Sequence, residues 1–147
     1  MTIIKRSLLV PYSTRQMFEL VNAIEDYPRF LPWCHASQII VQDEKEIIAR
    51  LDIAWSGIHK SFTTRNTLFP YEKIEMALVE GPFKHLSGSW YFVPMKEGAC
   101  QVELELSFEL AGHFFDRIFQ PIFYHIANSL VDLFNKRAGE IYGPHHR

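Results

Sequence analysis

Between residues 100 and 134 the hydrophobic pattern changes period once, from two to 3.6, and that change restricts the folds open to the chain. Cys100, Val102, Leu104, Leu106 and Phe108 alternate with Gln101, Glu103, Glu105, Ser107 and Glu109, the pattern of a strand with one face buried and one in water. After Gly112, the residues Phe115, Ile118, Phe119, Ile122, Ile126, Leu130, Leu133 and Phe134 recur at spacings of three and four, which puts them on one side of a helix. Phe114 and Phe123 widen that side to roughly half the circumference, against the roughly 100° stripe that a surface helix needs. Arg117, Gln120, Tyr124, Asn128 and Asn135 take the opposite side, and Lys136 and Arg137 suit the negative end of the helix dipole. Pro121 should kink this helix or start its second segment. So broad an apolar side requires a broad cover, and a curled sheet supplies one.

The preceding chain provides the strands. Residues 3–10 read as a strand stopped by Pro11. Ser13 or Thr14 can cap a short helix with Met17, Phe18, Leu20 and Val21 on its apolar face, because a hydroxyl accepts from the free amides of a first turn. In Tyr27-Pro28-Arg29-Phe30-Leu31-Pro32-Trp33 two prolines leave room for one helical turn, which makes a compact elbow. From residue 36 the period is two: Ile39 with Val41, then Ile47, Ala49, Leu51, Ile53 and Trp55 opposite Arg50 and Asp52, read as a solvated pair. Ser56-Gly57, Pro70, Gly81-Pro82 and Gly98 separate further strands at residues 60–69, 73–79 and 86–93. Strands this closely spaced form an antiparallel meander, with strand 100–108 paired to strand 86–93. The expected fold is α+β: a seven-stranded antiparallel sheet around a long C-terminal helix, with short helices after the first strand. Residues 1–142 make one domain, and residues 143–147 are expected to be a disordered tail.

Composition narrows the function. A net charge of −2 and a pI near 6.4 disfavour a nucleic-acid binder that works through bulk charge, and DNA is not an expected partner. Cys34 and Cys100 are too few for a disulfide framework and read as reduced thiols of a cytoplasmic protein. No apolar run approaches the roughly 20 residues of a membrane span, so at most peripheral membrane contact is expected. The seven histidines form no metal-binding spacing, and His145-His146 sit in the tail. No catalytic constellation stands out, and Cys34 beside His35 is read as a small buried thiol. A binding role without catalysis and without a required cofactor is the expectation.

Binding has candidate residues. In the row Phe62, Thr64, Asn66, Leu68, Thr64 and Asn66 interrupt an apolar face, and a buried polar group needs a partner. That partner is another side chain, a water, or a ligand carbonyl. Trp90, Phe92, Leu104, Leu106 and Phe108, facing Ile122, Ile126 and Leu130 of the helix, are core by default and the walls of a cavity if sheet and helix do not close fully. Phe83, in Glu80-Gly81-Pro82-Phe83-Lys84, is placed at a loop tip at the mouth of such a cavity. Phe30, Leu31 and Trp33 of the elbow form the opposite lip, where exposed aromatics would mark a partner or membrane surface.

The sequence also resembles the family of ribosome association toxins and coenzyme Q-binding proteins, within the polyketide cyclase/START-like superfamily. The resemblance runs over residues 2–142 and rests on Val10-Pro11-Tyr12-Ser13, Met17-Phe18-Glu19-Leu20-Val21-Asn22, Tyr27-Pro28-Arg29-Phe30-Leu31-Pro32, Lys60-Ser61-Phe62-Thr63-Thr64-Arg65-Asn66, Val79-Glu80-Gly81-Pro82-Phe83-Lys84, Gly88-Ser89-Trp90 and Arg137-Ala138. It implies the helix-grip fold with a hydrophobic cavity, and it turns the core-or-cavity choice towards a cavity. For the quinone-binding members it implies ubiquinone or a similar hydrophobic small molecule as ligand, and a role in respiration. For the toxin members it implies docking on the large ribosomal subunit and blocking of subunit joining, with Lys60, Arg65, Lys84 and Lys136 as the basic residues available for contact. Polyketide cyclase or aromatase activity is the distant alternative.

Overall fold

The computed structural model describes residues 1–143, apart from the side chains of residues 113–116. Strand β1 (Thr2–Val10) leads to α1 (Thr14–Asn22), a 3-10 turn (Ile24–Asp26) and the single turn α2 (Tyr27–Phe30). Six strands follow: β2 (Cys34–Gln42), β3 (Glu46–Trp55), β4 (Ile58–Phe69), β5 (Lys73–Glu80), β6 (Phe83–Pro94) and β7 (Cys100–Leu110). The long helix α3 (His113–Tyr142) closes the chain. The sheet order is β1-β7-β6-β5-β4-β3-β2, with every neighbouring pair antiparallel. The expected tail residues after Gly143, His145-His146 among them, and the side chains of Phe114 and Phe115 lie outside the described residues.

Alternation sets the inner face of the sheet. In β7, Cys100, Val102, Leu104, Leu106, Phe108 and Leu110 are buried, while Glu103, Glu105 and Glu109 take the wetter side. Gly88 in β6 lies opposite Leu106. A Cβ there would stand 2.5 Å from the Glu105 carbonyl oxygen and 2.7 Å from Leu106 Cδ1, so only glycine lets β6 and β7 approach this closely. At Gly81, with φ 155°, an added Cβ would stand 2.7 Å from Phe62 Cβ.

Helix α3 covers this face with Phe119, Phe123, Ile126, Ala127, Val131, Phe134 and Ala138. The buried stripe is therefore narrower than the sequence pattern: Ile118 is exposed, and Ile122, Leu130 and Leu133 are half-buried. Ala127 and Ala138 are fully buried, while the bulkier Ile122, Leu130 and Leu133 stand on the flanks. Pro121 lies inside one continuous helix rather than between two, at the cost of one backbone hydrogen bond.

Polar contacts lock the ends. Arg6 of β1 donates to the Asn128 carbonyl at 2.7 Å and pairs with Asp132 at 3.2 Å. Tyr142 donates to the Gln16 carbonyl at 2.9 Å. Ser13, not Thr14, caps α1: its Oγ accepts from Gln16 N at 3.1 Å, and Gln16 Oε1 accepts from Ser13 N at 2.9 Å, a capping box. The elbow is held by the Tyr27 hydroxyl, which donates to the Val21 carbonyl, and by Ser37 Oγ, which donates to the Ile24 carbonyl at 2.8 Å.

Candidate functional site: an apolar cavity with unmatched donors

Between the sheet and α3 lies a cavity of about 90 Å³. The sheet contributes Ala49 and Leu51 from β3, Phe62, Thr64 and Asn66 from β4, Met76 from β5, Leu86 and Trp90 from β6, and Leu104 and Leu106 from β7. Helix α3 contributes Phe123, Ile126, Ala127, Leu130 and Phe134. Ile24, Tyr27 and Trp33 close the elbow side. Eight of the residues expected from sequence therefore meet around one space: Phe62, Thr64, Asn66, Trp90, Leu104, Leu106, Ile126 and Leu130.

Three expected wall residues do not. Phe92 packs edge-on against Phe18 of α1, 5.7 Å between ring centres, because α1 covers that end of β6. Phe108 is taken up by Phe123 at 4.8 Å and Phe83 at 6.5 Å. Ile122 is only half-buried on the flank of α3. The mouth also differs from expectation. Phe83 is not a loop tip: it opens β6 and is buried among Phe62, Phe119 and Phe123. Leu31 and Trp33 are buried, and Phe30 is half-buried against Tyr27 and Phe134 at 6.0 and 5.3 Å. No cluster of exposed aromatics marks the elbow, because α3 packs directly onto it.

The polar groups carry the chemistry. Asn66 is 8% exposed, and Thr64 Oγ1 donates to its Oδ1 at 2.9 Å. The two residues that break the apolar row thus satisfy one another in part. The amide nitrogen of Asn66 has no hydrogen-bond partner among the described residues. Trp33, 4% exposed, also lines the cavity, and its indole N–H is buried without a partner. Both unmatched groups are donors, so the complementary molecule carries acceptors. The Tyr27 hydroxyl is already engaged, and burial, followed by the neighbouring Cys34 thiol, pushes its pKa upward, so it stays neutral. Sequence reasoning missed Ile24, Tyr27, Ala49, Leu51, Met76, Leu86, Phe123, Ala127 and Phe134. Ala49 and Met76 sit in rows already read as apolar, whereas the elbow offers no period that would place Tyr27.

The expected basic contacts do not converge. Arg65 pairs with Glu46 at 3.4 Å and Lys84 with Glu109 at 3.7 Å. Lys60 and Lys84 lie towards the sheet end where α3 begins, since Phe83 pairs with Leu110. Lys136 stands roughly six turns further along α3, beside Arg29 and Arg137. Arg50 and Asp52 do pair, at 3.2 Å, and Ser61 Oγ adds a hydrogen bond to Asp52 at 2.5 Å. Among the described residues no group of three or more His, Cys, Asp or Glu is placed to hold a metal, and no helix is long and apolar enough to cross a membrane.

A curved antiparallel sheet gripping one long helix around an apolar cavity defines a START-like, hydrophobic-ligand-binding fold. The chain belongs to the polyketide cyclase/dehydrase and lipid transport family, whose model matches residues 10–135. It is similar to the ribosome association toxin RatA of Vibrio cholerae, 44% identical over 140 residues that cover 95% of this chain and 97% of the relative. A more distant relative is the mitochondrial coenzyme Q-binding protein COQ10 homolog B of Xenopus laevis, 25% identical over 93% of this chain and 58% of its own. A START superfamily protein from Mycobacterium smegmatis has the same fold, with a TM-score of 0.78 at 18% identity over 95% of this chain and 98% of its own.

Proposed function

We propose that this protein binds a hydrophobic small molecule with an acceptor-bearing head, and that a polyprenyl quinone such as ubiquinone is the ligand class that fits, in support of respiration. The observation that carries the reading is Asn66, a nearly buried amide whose N–H groups lack a partner in an otherwise apolar cavity. A quinone carbonyl would supply the missing acceptor, and of the two donors without a partner the indole N–H of Trp33 is the fully buried one, for which an unmatched state costs about 1–3 kcal/mol. The name of the Xenopus relative supports the ligand class. Binding rather than catalysis is proposed because the polar side chains lining the cavity are Tyr27, Trp33, Thr64 and Asn66, none of them an acid or base at neutral pH. At about 90 Å³ the space is smaller than the roughly 150 Å³ cavity that accommodates benzene. The walls must therefore part to admit a ring, and Leu51, Met76 and Leu130 are the half-buried apolar side chains of the lining.

The test is organic extraction of the purified protein with mass spectrometry of the extract, beside reloading with ubiquinone. The reading requires a quinone in the wild-type extract and little in that of Leu104→Arg, which places a charge in the cavity wall. A reloading assay in which Asn66→Leu retains ubiquinone as well as wild type would refute it.

A second reading, association with the large ribosomal subunit, is supported by the name of the Vibrio relative and by its near-complete coverage. The two respond differently to salt. Apolar burial, at roughly 25 cal/mol per Å², is nearly indifferent to moderate ionic strength, whereas contacts to RNA phosphates weaken steeply. Co-sedimentation with subunits that falls between low and moderate salt, and on charge reversal at Lys60 and Lys84, would support the second reading.

A further inference from the structure

On the outer side of the elbow, separated from the cavity by the rings of Tyr27, Phe30 and Phe134, lies a second groove of about 400 Å³. Three cationic side chains line it, Arg29, Lys136 and Arg137, against one carboxylate, Glu140. Arg137 is the fixed member. Its side chain is 17% exposed, its guanidinium lies 5.1 Å from the centre of the Phe30 ring, and Nη1 pairs with Glu140 at 3.1 Å. Its Nε is buried with no hydrogen-bond partner among the described residues. Lys136 is exposed and makes no ion pair among the described residues. Arg29 is exposed and, among the described residues, pairs with Asp26 alone, at 3.7 Å. Between these charges are Pro28, Pro32, Phe30 and Leu133.

We propose that this groove receives the phosphate of a phospholipid headgroup and docks the elbow on an anionic bilayer. Cations interleaved with prolines and an aromatic ring suit a surface that is charged at the headgroups and apolar a few ångströms below. An RNA backbone would demand a wider basic field, and the chain carries a net charge of −2. The location adds a reason: only the aromatic wall separates the groove from the cavity, so a protein docked here holds the elbow against the phase in which hydrophobic molecules dissolve. The docking stands independently of which molecule the cavity takes.

The experiment is co-sedimentation of the full chain with vesicles of phosphatidylcholine alone and of phosphatidylcholine with phosphatidylglycerol. The wild type should partition onto the anionic vesicles and not onto the neutral ones. Arg29→Glu combined with Lys136→Glu should lower that partition at least tenfold, since each basic residue near an anionic surface contributes about a fivefold factor and reversal acts twice. Lys45→Glu combined with Lys96→Glu makes the same change in net charge on other exposed loops and should retain most of the binding. Both side chains reversed in the groove are exposed, and circular dichroism of each variant checks the fold. Equal binding to both vesicle types, equal loss in the two double variants, displacement by inorganic phosphate at matched phosphate concentration, or binding to an RNA oligonucleotide in place of vesicles would each overturn the proposal.

Discussion

Replacing Asn66 with Leu should make the protein more stable and less able to hold its ligand. Asn66 sits at 8% exposure in the wall of an apolar cavity. Its amide N–H groups have no partner among the described residues; the amide nitrogen is not wholly enclosed, so the desolvation penalty in the unliganded state falls at the low end of about 1–3 kcal/mol. Leucine has the same branching and number of side-chain heavy atoms, its larger methyl groups face the cavity space, and it removes that penalty. The substitution also takes away the acceptor of the Thr64 hydroxyl, 2.9 Å from Asn66 Oδ1, worth about 0.5–1.5 kcal/mol; Thr64 is only half-buried, so the loss falls at the lower end. The net expectation is a gain of about 0.5 kcal/mol in urea unfolding, or roughly 1–2 °C in Tm for a domain of this size. Retention of a carbonyl-bearing ligand should fall in the same variant. Stability and binding moving in opposite directions is the signature of a polar group kept for its ligand. A loss of more than 1 kcal/mol on Asn66→Leu would refute the reasoning, because it would make Asn66 a structural anchor.

Phe134→Ala should cost about 3–5 kcal/mol, since its ring lies within 5.4 Å, centre to centre, of Tyr27, Phe30 and Trp90; chemical denaturation measures it, and a cost under 1 kcal/mol would contradict the packing described. Cys34 and Cys100 are buried, and burial pushes each thiol up to about 11, so a disulfide exchange reagent at pH 8 should react with them much faster in urea than in the native protein. The Asp52 carboxyl is held below its ordinary value of 3.8, first by the Ser61 hydroxyl and then by Arg50. Its small contribution to stability should be present above that ordinary value and fade as the pH falls through the lower folded one. An acid titration of stability comparing wild type with Asp52→Asn would show a reduced slope below pH 3.8 in the variant.

The parts of the fold that repeat were the legible ones. The nine-residue alternation ending at Phe108 and the three-four spacing after Gly112 each identify an element, a face and a boundary, and the meander from β2 to β7 follows from short turns, whereas the pairing of β1 with β7 does not. Depth was not legible. Alternation puts Phe92 and Phe108 on the inner face but does not say that Phe18 of α1 covers the first or that Phe123 of α3 takes up the second. Non-repeating segments misled in both directions. Gly81-Pro82 looks like the tip of a loop, yet β6 begins at Phe83 and draws it inside. The elbow reads as an exposed lip, yet α3 packs onto it. Thr63 is buried on the outward row because the ladder to β5 slips by one residue between Thr63 and Thr64, and no sequence signal marks that bulge. Asn66 could be singled out because a polar side chain in an apolar row breaks a rule, and such breaks are expected at functional positions.

The most direct test of the central claim is native mass spectrometry of wild type and Asn66→Leu, each stripped of bound molecules and then titrated with ubiquinone. The account predicts a one-to-one complex for wild type, stable from low to moderate salt, and a complex weakened by at least about fivefold for Asn66→Leu, the loss of one buried hydrogen bond. No complex with the wild type, or equal affinity in a folded Asn66→Leu variant, would contradict it.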